Sequence, residues 1–555
     1  MFTHYNFFMN IICDPRYGWS KQKISDVTIY LKGDFYYKDY CQKSKDTYVK
    51  IYDLLNPYSE KALNPEKIVK IIKKFRGHYS FIIDAPNYTL ATVDRIRSYP
   101  IFYSNKDPLS ISNSAIMIQN ECALHKIDEI SLLEFEMSGF VIGRDTLYES
   151  IYQVLPGELI IIEKNNQKLN RFRYYQYELG YSKKNHGSED DLLLELHSVH
   201  LKVFGELIDT LENRPVWLPL SGGLDSRFIL SMLLELNYNN ITTFSYGMKN
   251  FWEIKRAREI AKSLNVKWYN VPYKPSQTRK YLYSKDMEGY YQYAWGLNAV
   301  PGIMDYFAIA MMKEKRLIPD NAIFINGQTG DFLTGGHIPQ IKNKQNNIKL
   351  LLDKIIAKHF SLWDQLKTSK NLESISDKIL LNINKKQDDS ISYDDFASYY
   401  EFFEWQERQC KYIINGVRVY EWFGYDWRLP LWADELMYFW ERIPCDVKIK
   451  QKLFKKYLRM KNPSSVFNRD WYQPDYQHVP LLLRILTSLS KRSFPDYDFQ
   501  TNYVNYYSTY AAYYPQNNYW NYLKESSGHR NPVSFHAKLI SKRIKEEKKY
   551  LHKTT

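Results

Sequence analysis

The sequence is poor in cysteine and contains no long apolar segment. Its five cysteines are scattered over 555 residues without CxxC spacing, so neither a disulfide framework nor a zinc site is predicted. No apolar run reaches the roughly 18 to 20 residues that a transmembrane helix needs. The opening MFTHYNFFMNIIC lacks a basic start followed by a long apolar region, which disfavours a secretory signal. These absences predict a cytoplasmic protein with no membrane partner.

The chain also lacks a concentrated basic region, although its formal net charge is +14. Its 76 Lys and Arg residues exceed its 62 Asp and Glu residues, but they are spread along the chain, with a local excess only in the last twenty residues. A solvated Lys-rich surface is therefore expected, with no nucleic-acid partner. The alternative is a protein that binds nucleic acid or an anionic membrane. A nucleic-acid binder predicts association that weakens steeply with salt.

The stretch PVWLPLSGGLDSRFIL (215–230) has the pattern of a strand, a tight turn and a helix start. Such a junction binds anions, because backbone N–H groups and the helix dipole point at the ligand. The stretch lacks the Lys of GxxxxGK[ST] and does not read GxGxxG. Ser221 and Ser226 can donate hydrogen bonds to phosphate oxygens, and Asp225 can bind the accompanying Mg²⁺. The alternative is an ordinary serine-glycine turn.

SGGLDS resembles the pyrophosphate-binding loop of the ATP-pyrophosphatase superfamily, in the form found in the asparagine synthetase family. The resemblance implies that ATP is split between its α and β phosphates and that a carboxylate is activated as an acyl-adenylate. It implies that the end of the strand ITTFSYG reads adenine through backbone groups. The residues expected to bind the nucleotide in these two stretches are Leu220, Ser221, Gly222, Gly223, Asp225, Ser226, Ser245, Tyr246 and Gly247.

A second stretch, AIFINGQTGDFLTGGHIP (322–339), places glycines and an aspartate after an apolar strand. It resembles the family segment S-G-E-G-A-D-E-x-x-G-G, in which the Asp is a second magnesium ligand. On this match Asp331 pairs with Asp225 at one Mg²⁺, and Gly327 and Gly330 belong to the nucleotide site. The alternative for Asp331 is a helix N-cap or a turn residue.

Three candidate catalytic positions depart from the family pattern or match it only in part. Gln328 stands where the family has Glu, or Tyr in the β-lactam synthetase branch, and glutamine cannot act as a general base. Asp426 replaces the Glu of G-x-E-x-R-x-P-F-L-D-x-x-[FL] and is a candidate for aligning a base or an amine, with an ion pair to Arg428 as the alternative. Arg469 matches the Arg of L-P-x-x-[VI]-x-x-R-x-K, whereas Trp471 replaces its Lys, so Arg469 or a nearby Lys is left to supply positive charge.

The N-terminal part combines predicted strands with helical patterns, which indicates a layered α+β domain. GRDTLYESIYQVLPGELIIIE (143–163) and the stretch 76–103 resemble the glutaminase domain of the same family, an N-terminal-nucleophile fold. The nucleophilic cysteine of such a glutaminase is not at its place, because Phe2 follows the initial methionine. Lys32 replaces the Asn of the family's NGEIYN strand, and Cys13 is expected to be a small buried residue. We therefore expect a glutaminase-shaped domain without glutaminase chemistry.

A chain of this length requires more than one core. The predicted fold class is α/β: an N-terminal Ntn-hydrolase-like α+β layered domain, then a doubly wound parallel-sheet ATP-pyrophosphatase domain of the adenine nucleotide α-hydrolase type. The predicted boundaries are 1–180 for the first domain, 181–191 for a linker, 192–480 for the second domain and 481–555 for a Tyr-rich and basic extension. Residues 496–523 are expected to pack through tyrosines, with a lid or a sugar- or peptide-binding surface as the alternative. Residues 536–555 are expected to be a solvated helical tail, with contact to a membrane surface as the alternative.

The resemblance predicts an ATP- and Mg²⁺-dependent ligase that adenylates a carboxylate and passes it to ammonia or an amine. The carboxylate could belong to a small molecule, a sugar acid or a peptide, and a homodimer is compatible with this prediction. Two alternatives stay open: a glutamine-hydrolysing asparagine synthase, and an impaired nucleotide-binding scaffold or regulatory protein. Gln328 and Trp471 are the residues that keep the second alternative open.

Overall fold

The computed structural model describes eleven stretches of the chain. They are residues 10–37, 40–42, 45–56, 63–106, 109–180, 187–247, 252–341, 347–386, 390–468, 481–490 and 532–554. The predicted Tyr-rich segment 496–523, together with Arg469 and Trp471, lies outside them. Among the described helices, none combines the length and apolarity needed to cross a bilayer.

The first part of the chain, up to Gly180, contains two sheets. One has seven strands in the order β11-β10-β6-β5-β3-β2, with β4 also paired to β3, and the other has four in the order β1-β8-β7-β9. All pairs are antiparallel except β1 with β8. The strands are β1 (Asn10–Ile12), β2 (Ser20–Ile24), β3 (Val27–Tyr37), β4 (Tyr40–Gln42), β5 (Phe75–Asp84), β6 (Tyr88–Val93), β7 (Phe102–Ser104), β8 (Ser110–Ser112), β9 (Ile151–Gln153), β10 (Glu158–Glu163) and β11 (Lys168–Arg173).

Helices accompany these sheets, as the mixture of patterns predicts. The apolar strands β6 and β10 are buried along almost their whole length, which requires cover on both faces. The helices of this part are α1 (Lys45–Leu55), α2 (Pro65–Ile72), α3 (Ala115–Glu121) and α4 (Glu129–Ser138). The α+β character predicted for the first part is thus confirmed.

The second part is built around a five-stranded sheet in which every pair is parallel, in the order β14-β13-β12-β15-β16. Since β12 occupies the centre and the chain proceeds outward on both sides, the predicted doubly wound parallel sheet is confirmed. Helix α5 (Glu189–Leu211) leads into it and begins at a capping box between Ser188 and Asp191. The strands are β12 (Val216–Pro219), β13 (Ile241–Gly247), β14 (Lys267–Pro272), β15 (Ile323–Ile325) and β16 (Asp426–Arg428).

Helices surround this sheet. A π-helical segment, Glu404–Ile413, continues α14. The α-helices are α5 (Glu189–Leu211), α6 (Leu224–Glu235), α7 (Trp252–Ser263), α8 (Pro275–Leu282), α9 (Lys285–Ala294), α10 (Tyr306–Glu314), α11 (Gly330–Leu333), α12 (Ile348–His359), α13 (Ser369–Ile383), α14 (Tyr393–Phe403), α15 (Arg418–Trp422), α16 (Asp434–Glu441), α17 (Cys445–Lys448), α18 (Lys452–Lys461), α19 (Leu481–Ser490) and α20 (Pro532–Thr554).

The C-terminal helix α20 packs against the rest of the molecule. Ala537, Ile540 and Ile544 are buried along one face, and Ser534 donates a hydrogen bond of 2.8 Å to the carbonyl of Leu362. The expectation of a solvated tail is therefore wrong for this face. The spacing of three and then four residues is that of an amphipathic helix with a partner.

Candidate functional site

The loop between β12 and α6, residues 220–223 and here called the SGG loop, leaves the N-terminus of α6 open. Gly223 is the N-cap residue, and no side chain of the described residues caps this helix. A Cβ atom on Gly222 would lie 3.0 Å from Arg256 Cδ and 3.2 Å from the Trp252 ring, so a larger residue would not fit without a shift. The first-turn N–H groups of α6 are thus available to an anion.

Two serines hold the loop in shape. The hydroxyl of Ser226 accepts a hydrogen bond of 3.1 Å from the backbone N–H of Ser221, and the two hydroxyl oxygens are 3.1 Å apart. The hydroxyl of Ser221 also accepts from the backbone N–H of Gly223 at 3.1 Å. Ser221 is only partly buried, so its hydroxyl can be reached from the solvent side.

Two guanidinium groups lie behind the SGG loop, and sequence reasoning missed their role. Arg227 donates to the Gly222 carbonyl at 3.2 Å, and Arg256 donates to the same oxygen at 3.3 Å. Burial, followed by repulsion from Arg256, lowers the pKa of Arg227 to about 10, so it stays charged at neutral pH. The open helix end therefore has positive charge close to it.

Asp225 and Asp331 meet at the carboxyl edge of the sheet, because β12 and β15 are parallel neighbours. The backbone N–H of Asp331 donates to Asp225 Oδ2 at 3.2 Å, and Asp225 Oδ1 is buried without a hydrogen-bond partner among the described residues. A Cβ atom on Gly330 would lie 2.5 Å from that Oδ1, so only glycine permits this approach. Burial and then the charge of Asp331 raise the pKa of Asp225 to about 7.

A chain of charged groups leads away from Asp331. His337 Nε2 lies 2.9 Å from Asp331 Oδ2, and His337 Nδ1 contacts the buried carboxylate of Glu404, which also binds Lys358 at 2.7 Å. Burial opposes the charge on His337, but its two carboxylate partners outweigh burial and raise its pKa to about 9. Burial likewise opposes ionisation of Asp331, yet His337 holds the pKa of Asp331 below its ordinary value. Asp331 is thus fixed in position and ionised.

The two aspartates fit a divalent cation. Asp225 has a buried oxygen without a partner among the described residues, and burial followed by repulsion from Asp331 raises its pKa. A cation between the two carboxylates would offset that repulsion. The described residues contain no group of three or more potential metal-ligating side chains. Two carboxylates, completed by phosphate oxygens and water, suit Mg²⁺ better than a site made of protein alone.

A cavity of about 510 Å³, here called the loop cavity, opens beside these groups. The SGG loop and Asp331 form one side of it, and its other walls include Tyr246, Asp305, Asn326, Gln328, Tyr412 and Pro532. Tyr246 and Tyr420 both donate hydrogen bonds to Asp305, and burial raises the pKa of that carboxyl. The cavity therefore combines an anion-binding side with a polar wall.

Gln328 lies in this cavity with an unused acceptor. Its backbone N–H donates to Asn326 Oδ1 at 3.0 Å, and its side-chain Oε1 is buried without a donor in the described part of the chain. Its Nε2 approaches Gly416, where a Cβ atom would lie only 2.9 Å away. A ligand N–H group would satisfy the oxygen.

Ser245, Tyr246 and Gly247, the residues predicted to contact adenine, lie at the same edge of the sheet as the SGG loop. The Ser245 hydroxyl donates to the carbonyl of Leu220 at 2.6 Å and accepts from Trp268 Nε1 at 2.9 Å, so it connects the two strand ends. Gly247 ends β13 with φ of +136°, a value that favours glycine. Gly327 approaches α6 so closely that a Cβ atom would lie 3.0 Å from Ser226 N.

Asp426 is not brought to this site, which corrects the prediction that it aligns a base or an amine. It is the first residue of β16 and therefore lies at the amino edge of the sheet, opposite the SGG loop. Its partner is Arg214, at 2.7 Å. The alternative ion pair with Arg428 is wrong as well, because Arg428 binds Asp34 at 3.0 Å.

The first part of the chain carries a buried ion pair at Lys32. Lys32 Nζ lies 2.9 Å from Glu421 Oε1 on α15, and burial lowers the pKa of Lys32 to about 8. Cys13 is half-buried rather than fully buried, and burial raises the pKa of its thiol to about 12. At neutral pH this cysteine is a thiol and not the thiolate that nucleophilic attack requires.

Comparison with known proteins gives one family match. Residues 209–469 match the family model described as asparagine synthase, and no curated protein matches the chain. Among solved structures, glutamine phosphoribosylpyrophosphate amidotransferase from B. subtilis, complexed with ADP and GMP, is 11% identical over 55% of this chain and 63% of its own, with a TM-score of 0.20. The allosteric regulatory enzyme of purine biosynthesis is 11% identical over 55% of each chain, with a TM-score of 0.19. The matched region thus spans less than two thirds of either protein.

Proposed function

Since residues 209–469 place this chain in the asparagine synthetase family, we propose that it adenylates a carboxylate with ATP and passes the acyl group to ammonia or an amine. The family match supports an amide ligase. The finer assignment depends on one observation: two carboxylates meet beside an open helix N-terminus, and one of them keeps an oxygen without a partner among the described residues.

The proposed site binds the triphosphate at the SGG loop. The first-turn N–H groups of α6 and the hydroxyls of Ser221 and Ser226 donate hydrogen bonds to phosphate oxygens. Arg227 and Arg256 lie behind the loop and offset the negative charge. Asp225 and Asp331 would hold Mg²⁺, which supplies further positive charge where pyrophosphate leaves.

The proposed first step forms a bond between a carboxylate oxygen of the substrate and the α phosphorus of ATP. The bond from that phosphorus to the bridging oxygen breaks, and the electron pair leaves with pyrophosphate. The developing negative charge falls next to the open helix end, where fixed dipoles and cations stabilise it without reorganisation. His337 keeps Asp331 ionised and in place throughout this step.

In the proposed second step the amine nitrogen attacks the acyl carbon of the adenylate, AMP leaves and one proton is released to water. Gln328 orients the amine by accepting one of its N–H groups on Oε1. Because a carboxamide takes no proton at neutral pH, Gln328 positions the nucleophile without acting as a base.

We propose ammonia or a substrate amine as the nitrogen source, rather than glutamine. The support is the Lys32–Glu421 pair in the glutaminase-like part and the protonated thiol of Cys13. Substrates would be a small organic acid, a sugar acid or a peptide carboxylate. Glutamine hydrolysis that proceeds with the purified protein would overturn this assignment.

The test is ATP–pyrophosphate exchange by the full-length protein, measured with panels of organic acids, sugar acids and acidic peptides. An adenylating enzyme shows exchange with at least one acid and needs Mg²⁺. ATP binding without exchange under the whole panel would instead favour the nucleotide-binding scaffold. Strong, salt-dependent binding of RNA or DNA would favour the nucleic-acid binder.

A further inference from the structure

A second polar cavity, of about 280 Å³, lies on the other side of two segments that also line the loop cavity, residues 298–302 and 415–418. Gly302 and Gly416 face the loop cavity, whereas Asn298, Asn415 and Arg418 from the same two segments line the second one. A Cβ atom on Gly302 would lie only 2.8 Å from Gly416 Cα, so the two segments are in close contact. The second cavity is thus a separate chamber, here called the Arg97 cavity.

Arg97 is the unusual residue of this cavity. Its side chain is 4% exposed, and its Nε and Nη2 atoms find no hydrogen-bond acceptor among the described residues. Its φ of +56° is a left-handed value that non-glycine residues seldom adopt. The Arg97 Cζ atom lies 5.4 Å from the centroid of the Phe102 ring, a cation–π contact that supplies no negative charge. The buried cation therefore still lacks an anionic partner among the described residues, which is costly.

The acidic groups nearby are already committed to other partners. Glu421 binds Arg418 at 2.6 Å and also Lys32, Asp14 binds Arg16 at 2.6 Å, and Glu407 binds Lys411. Asp94, three residues before Arg97, accepts three backbone N–H groups, from Tyr79, Ile96 and Ser98. The guanidinium of Arg97 therefore has to be neutralised from the cavity.

Amide oxygens give the cavity a second chemical character. Asn298 uses its side-chain N–H to donate to Gln153 at 2.6 Å, and Asn415 uses its own to donate to the carbonyl of Ala294. What these side chains can still offer a ligand is their oxygen, which is an acceptor. The cavity thus presents a cation on one side and hydrogen-bond acceptors on another.

We propose that the Arg97 cavity binds a small carboxylic acid that also carries an ammonium or hydroxyl donor, such as an amino acid or a hydroxy acid. The guanidinium takes the carboxylate, and the amide oxygens of Asn298 and Asn415 accept from the donor group. This site is separate from the proposed nucleotide site and does not depend on it.

The test uses the protein and the variant Arg97→Gly in calorimetric titrations with L-glutamate, L-aspartate, glycine and L-lactate. Inorganic phosphate is titrated as a fifth probe. Glycine relieves the positive φ, so this variant is expected to fold at least as stably as the parent. The matched control is Arg316→Gly, since Arg316 also has a positive φ, of +53°, but is exposed.

At least one of the four acids is expected to bind the parent and the Arg316→Gly control equally, without ATP. Arg97→Gly should weaken that binding by at least about tenfold and leave ATP binding unchanged. Binding of none of the acids, or equal binding by Arg97→Gly, would overturn the proposal. Arg97-dependent binding of inorganic phosphate alone would overturn the assignment to carboxylic acids.

Discussion

The two edges of the parallel sheet differ in what their polar groups contact. At the carboxyl edge, Asp225 and Gln328 each keep a buried oxygen without a partner among the described residues, and the start of α6 is open. At the amino edge, Asp426 is paired with Arg214. Unsatisfied groups cost stability, so their concentration at one edge marks the edge that meets a ligand. The paired edge has a structural role.

The comparison of the two edges also shows that a short motif does not reveal at which end of a strand its aspartate lies. Asp225, Asp331 and Asp426 all lie at the end of a short apolar stretch, but Asp225 and Asp331 follow their strands whereas Asp426 begins one. In a parallel sheet this single distinction places a side chain at opposite edges.

The largest expected effect comes from removing the carboxylate at the open edge. Asp225→Ala should lower ATP–pyrophosphate exchange by about three orders of magnitude or more. The proposed Mg²⁺ would lose one of its two carboxylate ligands, and the departing pyrophosphate would lose the positive charge that stabilises it. Stability should not fall, since a like-charged neighbour of Asp331 is removed. Exchange and thermal unfolding, measured on the same samples, check both statements. Near-normal exchange with Asp225→Ala would mean that the carboxyl edge is not the site.

A smaller and more selective effect is expected at Gln328. Gln328→Ala removes the acceptor proposed to orient the amine, so the KM for ammonia or the amine should rise about tenfold while pyrophosphate exchange is unchanged. The exposed Gln277→Ala is a suitable control. Equal losses in exchange and in amide formation would show that Gln328 acts in the first step instead.

Much of the carboxyl edge could be predicted from local sequence. The strand, the glycine turn and the helix start around Ser221 are contiguous, and so are the strand and glycines before Asp331. Arg256, His337 and Glu404 could not be predicted in this way, because they reach the site from α7, from the loop after α11 and from the π-helical segment. No pattern in their own neighbourhoods indicates that contact.

The same limit explains the C-terminal helix. Its apolar spacing at Ala537, Ile540 and Ile544 indicates one buried face, but nothing local indicates what covers it. In the structure α20 packs near α4, and Pro532 at its start lines the loop cavity. The fold class was predictable from periodicity, whereas contacts between distant segments were not.

A change in acid stability is expected at His78, which packs beside β16. His78 lies beside Trp427 with the ring centroids 5.6 Å apart, and burial followed by repulsion from Arg428 lowers the pKa of His78 to about 3. A histidine with a depressed pKa destabilises the fold as pH falls from its ordinary value of about 6.5 towards 3. His78→Gln should therefore lose less stability than the parent over that range, measured by urea unfolding at several pH values. If the free energy of unfolding changed with pH equally in the two proteins, the lowered pKa of His78 would be contradicted.

The smallest effect is expected at Asp426. Its side chain is 58% exposed and pairs with Arg214 near the surface, and such pairs contribute only about 0 to 1 kcal/mol. Arg214 also donates to the carbonyl of Asn321 at 2.9 Å, so it stays anchored when the charge is removed. Asp426→Asn should keep exchange and amide formation within about twofold of the parent, although the same sequence segment resembles a catalytic motif. If Asp426→Asn instead reduced exchange as strongly as Asp225→Ala, the amino edge would take part in the chemistry, and the division between the two edges would be wrong.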